Sequence, residues 1–228
     1  MSSLRAYLFL VALGLSLLGL VMIYSAYGPG YLVQRVFHLA VGLMVFAVAS
    51  RIRYTAWRRY VPALYVVVLL SLILVLVPGI GTEIGGARRW FVIGPVSLQP
   101  AEFAKIVAVL TLSCALARLP RGCGLPIKPL LMVGALFALV LVEPDFGTSV
   151  VLLAGVGGAL WASEVRTRDL LLSGIAAFAA LTVVMLLAPY RRERFLTFLD
   201  PWAVADGSGY QVVQSMIAIK AGGFFGAG

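Results

Sequence analysis

The sequence predicts an all-α fold, that of a polytopic helical membrane protein, from its composition and from the spacing of its apolar segments. Of 228 residues, 62% are hydrophobic and only 12% are charged, and the mean hydropathy is +1.04. Soluble chains carry about 25% charged residues, so this composition excludes an ordinary soluble domain. The apolar residues also form blocks close to the roughly 20 residues that cross a bilayer as a helix, which predicts about seven transmembrane helices.

Short polar stretches, several of them containing glycine or proline, separate these apolar segments. The segments run over Tyr7–Ala26, Val36–Ser50, Val61–Val77, Pro100–Leu119, Leu130–Val142, Gly147–Ala162 and Leu170–Ala188. The first is long for a signal peptide and no soluble domain follows it, so we expect a retained helix. The stretch from Leu130 to Trp161 is too long for one span, and the proline and glycine of residues 143–147 predict a tight turn between two helices.

Lysine and arginine are distributed unevenly between the predicted loops, and this distribution predicts the topology. With the N-terminus in the cytoplasm, the inner side holds Arg5, Arg51, Arg53, Arg58, Arg59, Arg118, Arg121, Lys128, Arg166 and Arg168. The short outer loops then hold Arg35, Arg88 and Arg89. Residues 1–188 are predicted to form the transmembrane bundle, and residues 189–228 an incomplete extracytoplasmic loop with a candidate amphipathic helix at Tyr210–Ile219. Because lysine and arginine set topology here, the net charge of +9 does not indicate a nucleic-acid partner.

The start of the fourth helix carries the most deeply embedded charges in the sequence. Gln99 precedes Pro100, a residue favoured at the first helical position, and Glu102 in the first turn suits the positive end of the helix dipole. Lys105 lies three residues further on, so it shares a face with Glu102 and can pair with it. A purely structural pair is one interpretation. Ionisable groups inside a span are costly and usually functional, which favours a site.

Asp145, Arg88 and Arg89 lie on the same predicted outer edge. Asp145 is suited to cap the helix that begins near Gly147, to serve a functional site, or to do both. Arg88 and Arg89 stand beside Trp90, and an interfacial anchor is one interpretation of the three. Arginines on an outer loop oppose the positive-inside bias, however, which weakens that interpretation. Two guanidinium groups are suited to binding phosphate oxygens through paired hydrogen bonds.

The residues together predict an outer-leaflet site for a phosphate-bearing lipid. The candidate substrate-binding residues are Arg88, Arg89, Gln99, Glu102, Lys105 and Asp145. The two cysteines and the single histidine show no metal-ligand spacing, so no metal-binding residues are predicted. The residues alone name neither the lipid nor the reaction.

Three stretches of the chain resemble the SEDS family (FtsW, RodA and SpoVE), in the family's order. They are GARRWFVIGPVSLQPAEFAKI at residues 86–106, EPDFGTS at 143–149, and PYRRERFLTFLDPW at 189–202 followed by GSGYQVVQSMIAI at 207–219. The last stretch is more similar to the division branch, FtsW, than to RodA. Glu143 stands where the family more often has glutamine, Lys220 where glycine is usual, and Val204-Ala205 where an acidic–proline pair is common.

The resemblance implies an inverting peptidoglycan glycosyltransferase of the bacterial inner membrane that polymerises lipid II, an undecaprenyl-diphosphate-linked disaccharide pentapeptide. It implies that Arg89 contacts the diphosphate with support from Arg88, and that Glu102, Lys105 and Asp145 shape the cavity mouth. The family's general-base aspartate falls beyond Gly228, together with the last three spans, so no catalytic residue is assigned. A divalent cation, Mg²⁺ or Mn²⁺, and a class B penicillin-binding protein with other division proteins are the implied cofactor and partners.

Two other functions remain open from the sequence. One is a lipid II transporter, or flippase, which needs a polar pathway across the membrane. The embedded charges cluster at the outer edge, which disfavours this function. The other is a non-catalytic, truncated component of the division machinery that binds partner proteins without making glycan.

Overall fold

The computed structural model describes residues 2–94, 96–120, 122–187, 197, 199–207, 209–223 and 226. The chain forms two compact units. One consists of Met1–Arg53 with Asp200–Gly228, and the other of Tyr54–Leu199. The predicted motif at residues 189–199 and the glycine-rich stretch at residues 222–228 lie largely outside the described residues.

The first unit contains two long apolar helices and a shorter one. Helix α1 (Ser2–Tyr27) and helix α2 (Pro29–Arg51) are joined at Gly28, whose φ of 75° favours glycine. The rings of Phe9 and Phe46 stack between them with centroids 5.3 Å apart. No described residue of α2 is buried in the protein, as expected for a helix that faces lipid.

The described part of the predicted outer loop contributes a 3-10 turn (Trp202–Val204) and a helix at Tyr210–Gly222 to the first unit. This last helix, α8 in our numbering, confirms the predicted helix at Tyr210–Ile219. Gly209 lies just before it, where an added Cβ would collide with the carbonyl oxygens of Pro201 and Val204. The chain can therefore make this turn only with glycine at residue 209.

The second unit is a bundle of five helices with α4 at its centre. They are α3 (Tyr54–Leu76), α4 (Pro100–Leu116), α5 (Ile127–Val142), α6 (Phe146–Ala162) and α7 (Thr167–Leu187). Helix α4 packs against α3, α5 and α6, and α7 packs against α6. The core contains the fully buried side chains Leu72, Ala104, Leu112, Leu136 and Leu152. Small residues on α4 let neighbouring helices approach closely, as is typical inside membranes.

All seven predicted helices are present. Four of them are long and apolar enough to cross a membrane, at Ala6–Tyr27, Pro29–Arg51, Tyr54–Leu76 and Thr167–Leu187, while α5 and α6 are shorter apolar helices. The second and third helices begin seven residues earlier than predicted, at Pro29 and Tyr54. Both extensions contain arginine and tyrosine, which favour the membrane interface, so the helices continue past the apolar segments that hydropathy detects.

A small antiparallel sheet between α3 and α4 was not predicted. Its strands are β1 (Thr82–Ile84), β2 (Ala87–Ile93) and β3 (Val96–Leu98), in the order β1-β2-β3. The first hairpin turns at Gly85-Gly86, with φ angles of 63° and 79°. Two consecutive glycines at positive φ are typical of tight hairpin turns, and this signal was present in the sequence. We call the end of the bundle that carries this sheet the sheet end.

Candidate functional site at the sheet end

The two arginines of β2 have different partners, because successive side chains on a strand point to opposite faces. Arg88 lies opposite Glu83 on β1, and its Nε is 3.4 Å from a Glu83 carboxylate oxygen. Arg89 reaches the turn between α5 and α6. Its Nε donates to the main-chain oxygen of Glu143 at 2.8 Å, and its Nη2 donates to that of Pro144 at 3.2 Å. Arg89 therefore fixes the sheet to the bundle.

Asp145 is the N-cap of α6, as the sequence predicted. Its Oδ1 accepts a hydrogen bond from the backbone N–H of Thr148 at 3.0 Å, and its Oδ2 accepts one from the Thr148 hydroxyl at 2.9 Å. The Ser149 hydroxyl donates to the main-chain oxygen of Asp145 at 2.7 Å. These bonds satisfy N-terminal groups of α6 that would otherwise lack partners. The cap is present, and a functional role for Asp145 stays a prediction.

Gln99 connects the start of α4 to this cap. It occupies the N-cap position of α4, but its side chain makes no cap hydrogen bond there. Instead, Gln99 Nε2 donates to Asp145 Oδ2 at 2.7 Å. Gln99, Arg89 and Asp145 therefore meet at the α5–α6 turn, and we call these three residues the turn cluster.

Glu102 and Lys105 form their own ion pair one turn into α4. Lys105 Nζ lies 2.8 Å from Glu102 Oε1, with 24% of the lysine side chain and 55% of the glutamate side chain exposed. The predicted pairing is confirmed. The hydrogen bonds of the turn cluster do not include either residue, so the structure divides the predicted site residues between neighbouring groups. Glu102 lies on the face of α4 that its neighbours leave uncovered, and Lys105 lies at the edge of that face, partly covered.

Glu143 is the unusual residue of this end, and its sequence position predicted no role for it. Its side chain is fully buried, and neither carboxylate oxygen has a hydrogen-bond partner in the described part of the chain. Burial, reinforced by the negative charge of Asp145 and opposed by Arg89, raises the pKa of Glu143 to about 8. At neutral pH Glu143 is therefore a neutral acid. An acid placed between an apolar helix and a proline-containing turn was the available signal.

The described carboxylates do not suit a divalent cation. In the part of the chain that the structure describes, no group of three histidine, cysteine or acidic residues could hold a metal ion. Both oxygens of Asp145 already accept hydrogen bonds, and the Glu143 side chain is fully buried. A hard cation such as Mg²⁺ needs several ionised or neutral oxygen ligands around it. We therefore derive no step through a metal at the turn cluster.

The helices and the charged sheet end define a class of protein, a polytopic helical membrane protein with a polar site at one end of its bundle. Within that class, residues 5–228 match the family model of the cell cycle proteins FtsW, RodA and SpoVE. The chain therefore belongs to the FtsW/RodA/SpoVE family, in agreement with the resemblance found in the sequence.

Individual relatives and solved structures agree with this assignment. The chain is 38% identical to a probable peptidoglycan glycosyltransferase FtsW of Coxiella burnetii, over 98% of this chain and 64% of that protein. It is 39% identical to the protein of that description from Nitrosococcus halophilus, over 87% of this chain and 52% of the relative. The chain thus spans between about half and two thirds of these relatives.

Among solved structures, one chain matches with a TM-score of 0.76 and 37% identity, over 96% of this chain and 66% of that one. That chain is part of a structure described as "Structural coordination of polymerization and crosslinking by a peptidoglycan synthase complex". The rod shape determining protein RodA of Thermus thermophilus matches with a TM-score of 0.64 and 33% identity, over 76% of this chain and 57% of RodA.

Proposed function

We propose that the protein is a peptidoglycan glycosyltransferase that polymerises lipid II during cell division, with its site at the sheet end. The observation that carries this proposal is Arg89, a cation held on the two carbonyls of the α5–α6 turn within the turn cluster, in a chain 38% identical to a probable enzyme of this kind. Family membership alone supports the reaction class. The arginine supports the chemical nature of the substrate, because guanidinium groups bind phosphate oxygens well.

Arg89 has donors left for a ligand. Its Nε and one Nη2 hydrogen bind the turn, which leaves the Nη1 group and the second Nη2 hydrogen. A guanidinium held at two points loses little further freedom when a phosphate binds, so its position favours affinity. Lys105, paired with Glu102 at the edge of the uncovered face of α4, supplies a second cation to the same end of the bundle. We propose that these two cations contact the diphosphate of the donor.

In the proposed reaction, a sugar hydroxyl of one lipid II attacks the anomeric carbon of the growing glycan. The new C–O bond forms as the bond to the undecaprenyl diphosphate breaks, and the diphosphate leaves with the electron pair. A general base accepts the hydroxyl proton, and we assign that base to no residue of this chain. The chain's own contribution is electrostatic, because cations near the leaving diphosphate stabilise the charge that develops there.

A class B penicillin-binding protein is the partner that we propose, and the bacterial inner membrane is the proposed location. The support for the partner is the similarity to a chain of a peptidoglycan synthase complex. A non-catalytic role within such a complex is the second candidate, because a complex also contains components that act by binding their partners. A flippase finds less support, since the embedded pair of Glu102 and Lys105 lies at one end of α4.

Glycan synthesis from purified lipid II tests the proposal. The chain, purified in detergent with its partner, is incubated with labelled lipid II, and polymer is measured by gel electrophoresis. We expect Arg89→Ala to reduce the rate at least about tenfold, as expected for loss of a charge-assisted contact. Arg59→Ala, an exposed arginine at the other end of α3, should leave the rate unchanged. Absence of polymer from the parent chain, with partner binding intact, would favour the non-catalytic role.

A further inference from the structure

A crevice opens between α3 and α4 at the end of the bundle opposite the sheet. Its volume is about 470 Å³, and its walls include Tyr54, Trp57 and Arg58 of α3 and Leu110, Ser113 and Ala117 of α4. At 1.5 Å per residue, the distance from Ala117 to Leu110 gives the crevice a depth of about 10 Å along the helices. None of the residues of the turn cluster lines it, so it is separate from the site proposed above.

The α3 side of the crevice favours an anion. Arg58 is exposed, and within the described residues it makes no ion pair and no side-chain hydrogen bond. Tyr54 and Trp57 belong to the first turn of α3, where backbone N–H groups lack helical partners and the helix dipole is positive. A free guanidinium beside a helix N-terminus provides charge and donors together, which suits a phosphate group.

The α4 side is mostly apolar. Leu110 and Ala117 line it, and Cys114 lies between them with its thiol free. Ser113 adds one hydroxyl. The other serine on these two helices, Ser71, donates to the backbone oxygen of Val67 at 2.7 Å, but in the described chain the hydroxyl of Ser113 has no partner. The crevice thus combines a cationic mouth, a hydroxyl and a mostly apolar wall.

The surroundings of the crevice place it at a membrane interface. Tyr54 and Trp57 are of the residue types that concentrate at headgroup level, and Arg59 and Arg118 are further exposed cations at this end of the unit. Basic pockets between membrane helices on the cytoplasmic side bind anionic lipid headgroups. The distribution of lysine and arginine predicts that this end is cytoplasmic, so the adjacent leaflet is the inner one.

We infer that this crevice binds an anionic phospholipid of the adjacent leaflet. Arg58 and the first turn of α3 hold the phosphate, Ser113 donates a hydrogen bond to it or to the ester, and the start of an acyl chain lies along Leu110. A zwitterionic lipid brings a compensating ammonium group to the cationic mouth and is bound less well. A protein helix from a partner satisfies the apolar wall but leaves Arg58 unpaired.

Quenching of Trp57 fluorescence by brominated lipids tests this inference. The other three tryptophans, Trp90, Trp161 and Trp202, are replaced by phenylalanine. The protein is placed in nanodiscs of phosphatidylcholine containing a small fraction of brominated phosphatidylglycerol or brominated phosphatidylcholine. One cation near a membrane surface gives an anionic lipid about a fivefold preference, and we expect quenching to show it.

Two variants at adjacent positions of α3 distinguish lipid binding in the crevice from a general attraction of anionic lipid to surface charge. Arg58→Ala should abolish the preference for phosphatidylglycerol, whereas Arg59→Ala, which removes an exposed arginine that does not line the crevice, should retain it. Equal quenching by the two lipids in the parent protein, equal loss in both variants, or no quenching at all would overturn the inference. The last outcome would mean that protein fills the crevice.

A second measurement uses the thiol in the crevice wall. In a Cys123→Ser background Cys114 is the only remaining cysteine. We expect its reaction with a maleimide to be slower in nanodiscs containing phosphatidylglycerol than in pure phosphatidylcholine, and soluble glycerol phosphate to give no protection. Protection by glycerol phosphate alone would show an anion site without a lipid, and would contradict the inference.

Discussion

Gln99 Nε2 donates a hydrogen bond to Asp145 Oδ2 at 2.7 Å, across 46 residues of sequence. The bond joins the residue before α4 to the N-cap of α6. Since Arg89 binds the carbonyls of the same turn, three separate segments, β2, the start of α4 and the α5–α6 turn, are fixed to one another. The positions of the candidate site residues at this end therefore depend on one small set of polar contacts.

We predict that Asp145→Ala lowers stability more than the loss of a helix cap alone would. Loss of the N-cap costs about 1 kcal/mol, and the half-buried amide of Gln99 loses its partner, which adds about 1 kcal/mol or more. Thermal unfolding in detergent measures the sum. Combining Asp145→Ala with Gln99→Ala should give a double variant less destabilised than the two single effects added together. Strict additivity would show that the bond contributes nothing.

Glu143 makes stability depend on pH. Its pKa is about 8 in the folded protein against a usual 4.5. Below pH 4.5 it is protonated in both states and has no differential effect. Between these two values the unfolded chain releases the proton while the folded protein retains it, so stability falls as pH rises and levels off above pH 8. The full effect has an upper limit of about 5 kcal/mol.

Glu143→Gln removes the titration while keeping the size of the side chain. We predict that the difference in unfolding temperature between pH 5 and pH 8 becomes smaller in this variant than in the parent. The comparison uses the slope with pH and not the absolute stability, because a buried amide without partners has its own cost. If the unfolding temperature changes equally with pH in the two proteins, Glu143 is ionised in the folded state.

The helices were predictable from sequence because hydropathy and length determine membrane spans directly. The i, i+3 pair of Glu102 and Lys105 and the cap at Asp145 were predictable as well, because both are local. The partners of Arg89 and Gln99 were not, since each bond joins segments more than 40 residues apart. The position of Glu143 between an apolar helix and a proline-containing turn marks the residue as unusual, but its burial depends on neighbouring segments and could not be predicted from that local signal. The sheet was missed although Gly85-Gly86 is a hairpin signal, because two of its three strands have only three residues each.

Gly155 determines how closely α4 and α6 pack. A Cβ at this position would lie 3.0 Å from Val109 Cγ2 on α4, tighter than ordinary van der Waals contact. Gly155→Leu should therefore destabilise the protein by several kcal/mol, a cost of overpacking and of separating two core helices. Gly157, two residues further on, has open space at its Cβ position and is the matched control. Thermal unfolding of Gly155→Leu and Gly157→Leu compares them. Similar losses in both would mean that the close approach to Val109 is not responsible, since leucine has a higher helix propensity than glycine and would not by itself destabilise either position.

Exchange of the charges at residues 102 and 105 separates a structural pair from a functional one. The pair contributes little to stability, about 0.3–0.5 kcal/mol for exposed charges one turn apart. In the double variant with Glu102→Lys and Lys105→Glu the ion pair is restored, and the lysine in the first turn costs only about 0.3–1 kcal/mol through the helix dipole. Thermal unfolding should therefore change by no more than a few degrees.

Glycan synthesis by the exchanged variant should nevertheless fall by at least about tenfold, because the cation is displaced by one turn of α4 from where it would meet the diphosphate. Lys105→Arg keeps the charge in place and is the control, with a smaller loss expected. If the exchanged protein polymerises lipid II at the parent rate, the pair only stabilises the start of α4, and the uncovered face of that helix binds the substrate without its charges.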